Sequence, residues 1–277
     1  MKTTTNRFFT AIVVMLLLFN FQSIQAQDDS NAGPEYYTVT TMHWNMDNED
    51  FDRDTWIAVE KEYLDKVTKK NEYIMAASVY MHRMSPDNTE LIVVNAYGSW
   101  DDIDKAANRN GELAREAWPD SEERSAYFNK RNAYYANEHS DEIYAVMSGS
   151  KNFSEAPTKD MILYWRTNHF AFPEDGSNEE FKETRDEYLE NVIHKNEYVK
   201  AYFPFAHAYG ADRTEYGEAF FFESMSDMEK MFDRNGELFR AHWDTEEARK
   251  AYGEKAGKYY TGVHGDAIYT HVLELSK

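Results

Sequence analysis

The run Arg109-Asn110-Gly111-Glu112-Leu113 returns as Arg234-Asn235-Gly236-Glu237-Leu238, and the residues around it repeat in step. Tyr63 to Met147 overlays Tyr188 to Val272 at a constant shift of about 125 positions, without a gap and with roughly two in five columns identical, which is the signature of an internal duplication. Any fold proposed for this chain must therefore work twice. One half also serves as a control on the other.

The ends restrict where the protein works. Lys2 and Arg7 precede an apolar run, Phe8 to Phe21, and a short polar tail ends at Ala26. That run is about 14 residues, short of the roughly 20 a spanning helix needs, and the small residue before a cleavage point completes a secretory signal peptide over 1–26. The expected protein is exported, periplasmic or secreted. There is no cysteine in the chain, so disulfides, thiolate ligands, lipid attachment at cysteine and a cysteine nucleophile are all ruled out. The net charge of −20 becomes more negative once Lys2 and Arg7 are removed. Nucleic-acid and membrane-surface binding both rely on clustered Lys and Arg, so neither partner is expected.

Residues 27–35 are polar and read as a disordered segment. The first repeat occupies 36–150, a linker 151–159 with Ser154, Pro157 and Thr158 follows, and the second repeat fills 160–277. Within a copy, Tyr37 to Trp44, and Met161 to Phe170 in the second, have the Thr, Val and aromatic content of a strand. Trp56, Val59, Tyr63 and Val67 then recur at spacings of three and four, predicting a helix that ends near Asn71. Strands are predicted over Ile74–Arg83 and Glu90–Tyr97, joined by the turn residues Pro86, Asp87 and Asn88. A second helical region starts near Trp100, is interrupted at Asn110-Gly111 and at Trp118-Pro119, and resumes over Ser121–Tyr135. A last strand is predicted from Glu142 to Met147. The order strand, helix, strand, strand, helix, strand is the ferredoxin-like split unit.

Ala219-Phe220-Phe221-Phe222 is apolar on both faces, whereas a sheet with one wet face should alternate. Helices cover one face, so the sister sheet is the simplest cover for the other. In element order and duplication the chain resembles the dimeric α+β barrel superfamily, without the motif of any particular family. The resemblance implies an α+β fold of two tandem ferredoxin-like βαββαβ repeats, packed sheet to sheet about a pseudo-twofold axis. The two halves then pair within one chain.

Three of the nine histidines recur between copies: His82 as His207, His139 as His264, and His43 as His169. Strand directions bring His43, His82 and His139 to one sheet edge with Glu90, which recurs as Glu215. His43, His82 and Glu90, and likewise His169, His207 and Glu215, are the residue types that would ligate a divalent metal. No motif requires a cofactor. His82 and His207 would alternatively serve as general bases, with Arg109 or Arg234 polarising a carbonyl. Glycine inside a helical pattern predicts a helix break, with Arg and Glu pairing across it and Trp packed beneath. His139, His264, Trp118, Trp243, Tyr63 and Tyr188 are candidate ligand contacts. The absence of a nucleophile elbow, a phosphate loop and an H-E-x-x-H helix removes the commonest catalytic classes. The expected function is an exported small-molecule-binding or accessory protein. The alternatives are a barrel enzyme of monooxygenase, isomerase or lyase type and a structural or interaction protein.

Overall fold

The computed structural model describes residues 33–277, so the leader at 1–26 and most of segment 27–35 lie outside the described residues. The first repeat is β1 (Tyr36–Trp44), α1 (Arg53–Lys66), β2 (Ala76–Met84), β3 (Glu90–Tyr97), α2 (Trp100–Ala117), α3 (Ser121–Asn132) and β4 (Tyr135–Val146). The second is β5 (Ile162–Phe170), α4 (Asn178–Tyr188), β6 (Ala201–Tyr209), β7 (Glu215–Phe222), α5 (Met225–His242), α6 (Glu246–Gly257) and β8 (Tyr260–His271). Each repeat forms a sheet in the ferredoxin-like order, and the eight strands close into one barrel, β1-β3-β2-β8-β5-β7-β6-β4. The fold is the duplicated dimeric α+β barrel.

Two antiparallel seams join the repeats. β2 pairs with β8, with His82 opposite Tyr269, and β4 pairs with β6, with Tyr144 opposite His207. The repeats are thus two units by sequence but share one compact body, Gly33–Lys277. Alternation along β7 sends Ala219 and Phe221 into the barrel with Leu163, Phe205, Tyr80 and Tyr269, while Phe220 and Phe222 pack beneath the helices. An eight-stranded barrel is just wide enough to be filled by such side chains.

Two expectations are corrected. β4 starts at Tyr135, not Glu142, because the polar stretch Asn137–Asp141 continues the ladder with β1. His139 is therefore inside a strand. The Arg-Asn-Gly-Glu-Leu run does not break its helix: α2 and α5 pass straight through Gly111 and Gly236, and the break falls only at Trp118 and Trp243.

The run is repeated because it docks the helix. Buried Asn71 donates to the Ala106 carbonyl at 2.9 Å and to Asn110 Oδ1 at 2.7 Å, and its own Oδ1 accepts from the Tyr73 amide. Asn196 makes the same three bonds to Met231, Asn235 and Tyr198. Arg109 spans Glu72 and Glu112 at 3.2 and 2.9 Å, and Arg234 does the same with Glu197 and Glu237.

A β-carbon at Gly111 would meet only the Arg115 guanidinium, at 3.6 Å. Gly111→Ala is therefore expected to raise stability by up to about 1 kcal/mol, the helix-propensity difference. Asn71→Ala should lower it by about 1–3 kcal/mol through lost buried bonds. Urea denaturation midpoints check both, and a destabilised Gly111→Ala would contradict this view of the helix.

Candidate functional site

The duplication is most informative where it fails. Under the helices of the first repeat, Glu60 of α1 is held by Arg131 of α3 through two bonds of 2.8 and 2.9 Å and accepts from the Tyr135 hydroxyl at 2.7 Å. Trp56 donates to that hydroxyl and packs edge-on to Trp44, leaving no exposed surface on Trp56. The space between helices and sheet is filled.

In the second repeat the matching columns read differently. Glu60 becomes Arg185, Arg131 becomes Ala256, Trp56 becomes Phe181 and Trp44 becomes Phe170. Bulk is lost and a charge is reversed after its partner has been removed. A cavity of about 430 Å³ results, with α4, α5 and α6 above it and the outer faces of β5, β7 and β8 below. Its floor carries Tyr164, Arg166, Asn168, Tyr216 and Glu218, and its roof carries Phe181, Arg185, Tyr188 and Tyr252. Leu189 and Ile193, also in the wall, belong to a widened helical turn in which the His194 amide reaches back five residues to the Leu189 carbonyl. Such turns occur often at functional sites. Phe232 and Val263 rim the cavity and are 52% and 64% exposed, making an apolar approach.

The cavity is polar at its core. Arg185 is buried; its Nη2 donates to the Ser148 carbonyl at 2.7 Å and to Ser148 Oγ at 2.8 Å. Its Nε and Nη1 are buried with no partner, as is Arg166 Nε. Arg166 stands across the ladder from Glu218 on one side and Asp266 on the other. Glu218 lies deep in the floor, where Oε1 accepts from Tyr202 at 2.8 Å and Oε2 from Asn168 at 2.9 Å. Burial raises the Glu218 pKa, and the Tyr202 bond and Arg166 offset only part of the rise. Burial also pushes Tyr188 up to about 12. Tyr164 donates to Asp266 at 2.6 Å and titrates above its ordinary range. Buried orphan guanidinium donors are costly, by several kcal/mol when an ion is left uncompensated, and they mark places where a partner is missing.

Of the residues singled out from sequence, Tyr188 and His264 line this cavity. The others sit elsewhere. Tyr63 covers Arg131, its ring 4.3 Å from the guanidinium, in the filled first repeat. Trp118 stacks on Tyr127 at 4.0 Å and Trp243 on Tyr252 at 4.1 Å, as core. Arg109 and Arg234 are engaged in the helix-docking ion pairs. His139 lies near Asp141 at 3.3 Å, opposite Met42 in the ladder, and so faces away from His43.

The ladder does set His43 opposite Glu90 and His169 opposite Glu215, at one end of each sheet. They do not form a centre. Among the described residues no three His, Cys, Asp or Glu side chains converge to hold a metal ion. His43 Nδ1 lies 3.2 Å from Thr89 Oγ1 and 3.3 Å from Asp87, and His169 repeats this with Thr214 and Asp212. Glu90 accepts from the Tyr269 hydroxyl at 2.8 Å and Glu215 from that of Tyr144 at 2.9 Å. His82 contacts Ser85 Oγ at 2.7 Å, and His207 Nε2 is buried without a partner. These pairs tie hairpins and strand ends together.

No family model matches the sequence, and no curated protein matches it. Solved structures do. A proposed monooxygenase from Fusobacterium nucleatum superposes with a TM-score of 0.53 and 10% identity, covering 87% of this chain and 94% of that one. A mutant chlorite dismutase from Candidatus Nitrospira defluvii gives 0.52 and 13%, covering 88% and 94%, and the chlorite dismutase of that organism in complex with imidazole gives 0.51 and 12% over the same shares. These neighbours are dimeric α+β barrels, and at such identities the likeness is one of fold alone.

A carboxyl whose folded pKa is raised stabilises the protein fully below its unfolded pKa, near 4.5, and that contribution is lost as pH rises through the folded value. Gln at 218 removes the titration. The stability of Glu218→Gln relative to the parent should therefore grow as pH rises from about 4.5 toward neutrality and then level off. Paired denaturant titrations across that range test the sign; a difference that is flat or falls with pH would show that Glu218 is not desolvated.

Proposed function

We propose that this is an exported small-molecule-binding protein whose ligand site is the helix-sheet cavity of the second repeat. The observation that carries the reading is the paired change from Glu60 with Arg131 to Arg185 with Ala256, beside which a cavity of about 430 Å³ lies against a buried guanidinium with two of its three nitrogens unpartnered. That volume is within the range of small-molecule sites, which are mostly apolar with a few convergent polar groups. Export rests on the leader sequence, and the acidic surface argues against nucleic acid and membrane partners. The first repeat, its equivalent space filled, supports the barrel.

A second reading is an enzyme on the same site. Fold neighbours include a proposed monooxygenase and a chlorite dismutase, and folds of this kind carry chemistry through their sites rather than their topology. The specific feature favouring it is Glu218, a half-buried carboxyl in the cavity floor that holds its proton more tightly than usual beside arginine and tyrosine. A carboxyl so tuned suits general acid-base work. His82 and His207 lie at the barrel seams, outside this cavity.

Filling the cavity tests the binding reading. Ligand at a hundred times its Kd stabilises by about 2.7 kcal/mol, so saturating indole or a related aromatic should raise the melting temperature of the parent by several degrees. Ala256→Phe should abolish that shift while leaving the protein folded. If no member of a panel of neutral and charged one- or two-ring compounds shifts the parent, or if Ala256→Phe shifts equally, the proposed site is wrong.

A further inference from the structure

The lining of the cavity selects a class of ligand. Arg166 and Arg185 contribute two fixed positive charges, and the two carboxyls that flank Arg166 across the ladder, Glu218 and Asp266, supply the negative charge on that side. The remaining ion pair to Arg185 is to Asp186 at 3.3 Å, a carboxylate it shares with Lys182. Arg166 is thus flanked by carboxyls, whereas Arg185 keeps two nitrogens without a partner, inside a protein whose net charge is −20. In the first repeat the same place holds a closed ion pair, Glu60 with Arg131, each with its oxygens or nitrogens engaged. The second repeat puts a cation at the Glu60 position and an alanine at the Arg131 position.

Resting on the cavity being the ligand site, we infer that its ligand is an aromatic monocarboxylic acid whose carboxylate takes the missing place opposite Arg185 and Arg166. Arg185 and Arg166 both line the cavity, the Nε and Nη1 of Arg185 and the Nε of Arg166 have no partner, and a turn of the Arg185 guanidinium toward the ligand would set its paired N–H donors against the two oxygens of a carboxylate. A single carboxylate suffices to pair the open side of Arg185. A phosphate monoester, closer to two charges at neutral pH, would meet the Glu218 carboxyl as well. The rest of the ligand is flat and apolar, because the walls around the arginines are the rings of Phe181, Tyr188 and Tyr252, and the approach passes Phe232 and Val263. Glu218, with both oxygens already accepting from Tyr202 and Asn168, sets the polar floor and leaves the arginines to the ligand.

Benzoate and benzamide differ by the charge alone and serve as the probes. Calorimetric titration of the unaltered protein at pH 7 should show benzoate binding at least tenfold more tightly than benzamide. Arg185→Met should weaken benzoate at least tenfold and change benzamide less than twofold. The exchange Arg185→Glu with Ala256→Arg, which rebuilds the closed pair of the first repeat, should fold and bind neither probe. Benzamide binding as well as benzoate to the unaltered protein would overturn the anionic assignment while leaving the cavity as the ligand site. Failure of both probes, together with the whole panel of aromatics, would instead remove the site itself. Comparing the probes on the unaltered protein needs no variant, so the inference stays falsifiable even if Arg185→Met does not fold.

Discussion

Everything in this structure follows from the two strand seams, β2 with β8 and β4 with β6. They leave neither repeat with an open sheet edge, so the backbone groups that would otherwise template aggregation are paired within the chain. Closure also fixes which faces are available. The inner faces of both sheets meet in a filled barrel, and the only surfaces on which a helix can lie are the outer ones. A cavity in such a molecule has to form between helices and sheet, and either repeat could have hosted it.

Comparison of the two copies shows where divergence was tolerated in kind and where it was not balanced. Inside the barrel, Val39 and Ile92 of the first repeat correspond to Trp165 and Gly217 of the second. The exchange conserves volume: a β-carbon on Gly217 would fall 2.3 Å from the Trp165 ring, so the large side chain requires the glycine. Close-packed interiors accept such paired changes and resist single ones. Under the helices the rule is broken. Two tryptophans shrink to phenylalanine and an arginine shrinks to alanine, while the floor gains larger polar side chains, Thr40 and Val93 becoming Arg166 and Glu218, and a cavity remains between them.

Fold and site were legible in the sequence to different degrees, for a physical reason. Periodicity and the two-sided apolar run Ala219–Phe222 are consequences of burial, and burial is what the fold is made of, so the βαββαβ order and the face-to-face sheets could be read directly. The boundary of β4 was missed because Asn137–Asp141 is held by the ladder with β1 and not by burial. The glycine of the repeated run suggested a helix break, yet Asn71 and Asn196 pin the helix by side-chain bonds that leave no periodic trace. The candidate histidines stand out in the sequence because they recur, and recurrence between copies marks what both copies need, which is hairpin and strand-end anchoring. The columns that make the cavity are those that do not recur. Arg166, Arg185, Glu218 and Ala256 were available to a comparison that asked where the halves differ in charge or volume.

That asymmetry also separates a site from simple drift. A repeat released from function could lose a buried ion pair at little cost by replacing both partners with apolar residues of similar shape, an exchange that is often neutral or stabilising. Putting an alanine where one partner stood and a cation where the anion stood is the costly outcome, because breaking a buried pair so that a charge is left short of partners destabilises by roughly 3–5 kcal/mol. The second repeat holds that costly arrangement: Arg185 stays buried with Ser148 and Asp186 on one nitrogen and nothing on two others. A bound anion converts the same guanidinium from a liability into half of a closed pair, which is the state the first repeat reaches with its own residues. Under the proposed function, binding and stability would be linked at one atom group, in the repeat that holds the open cavity.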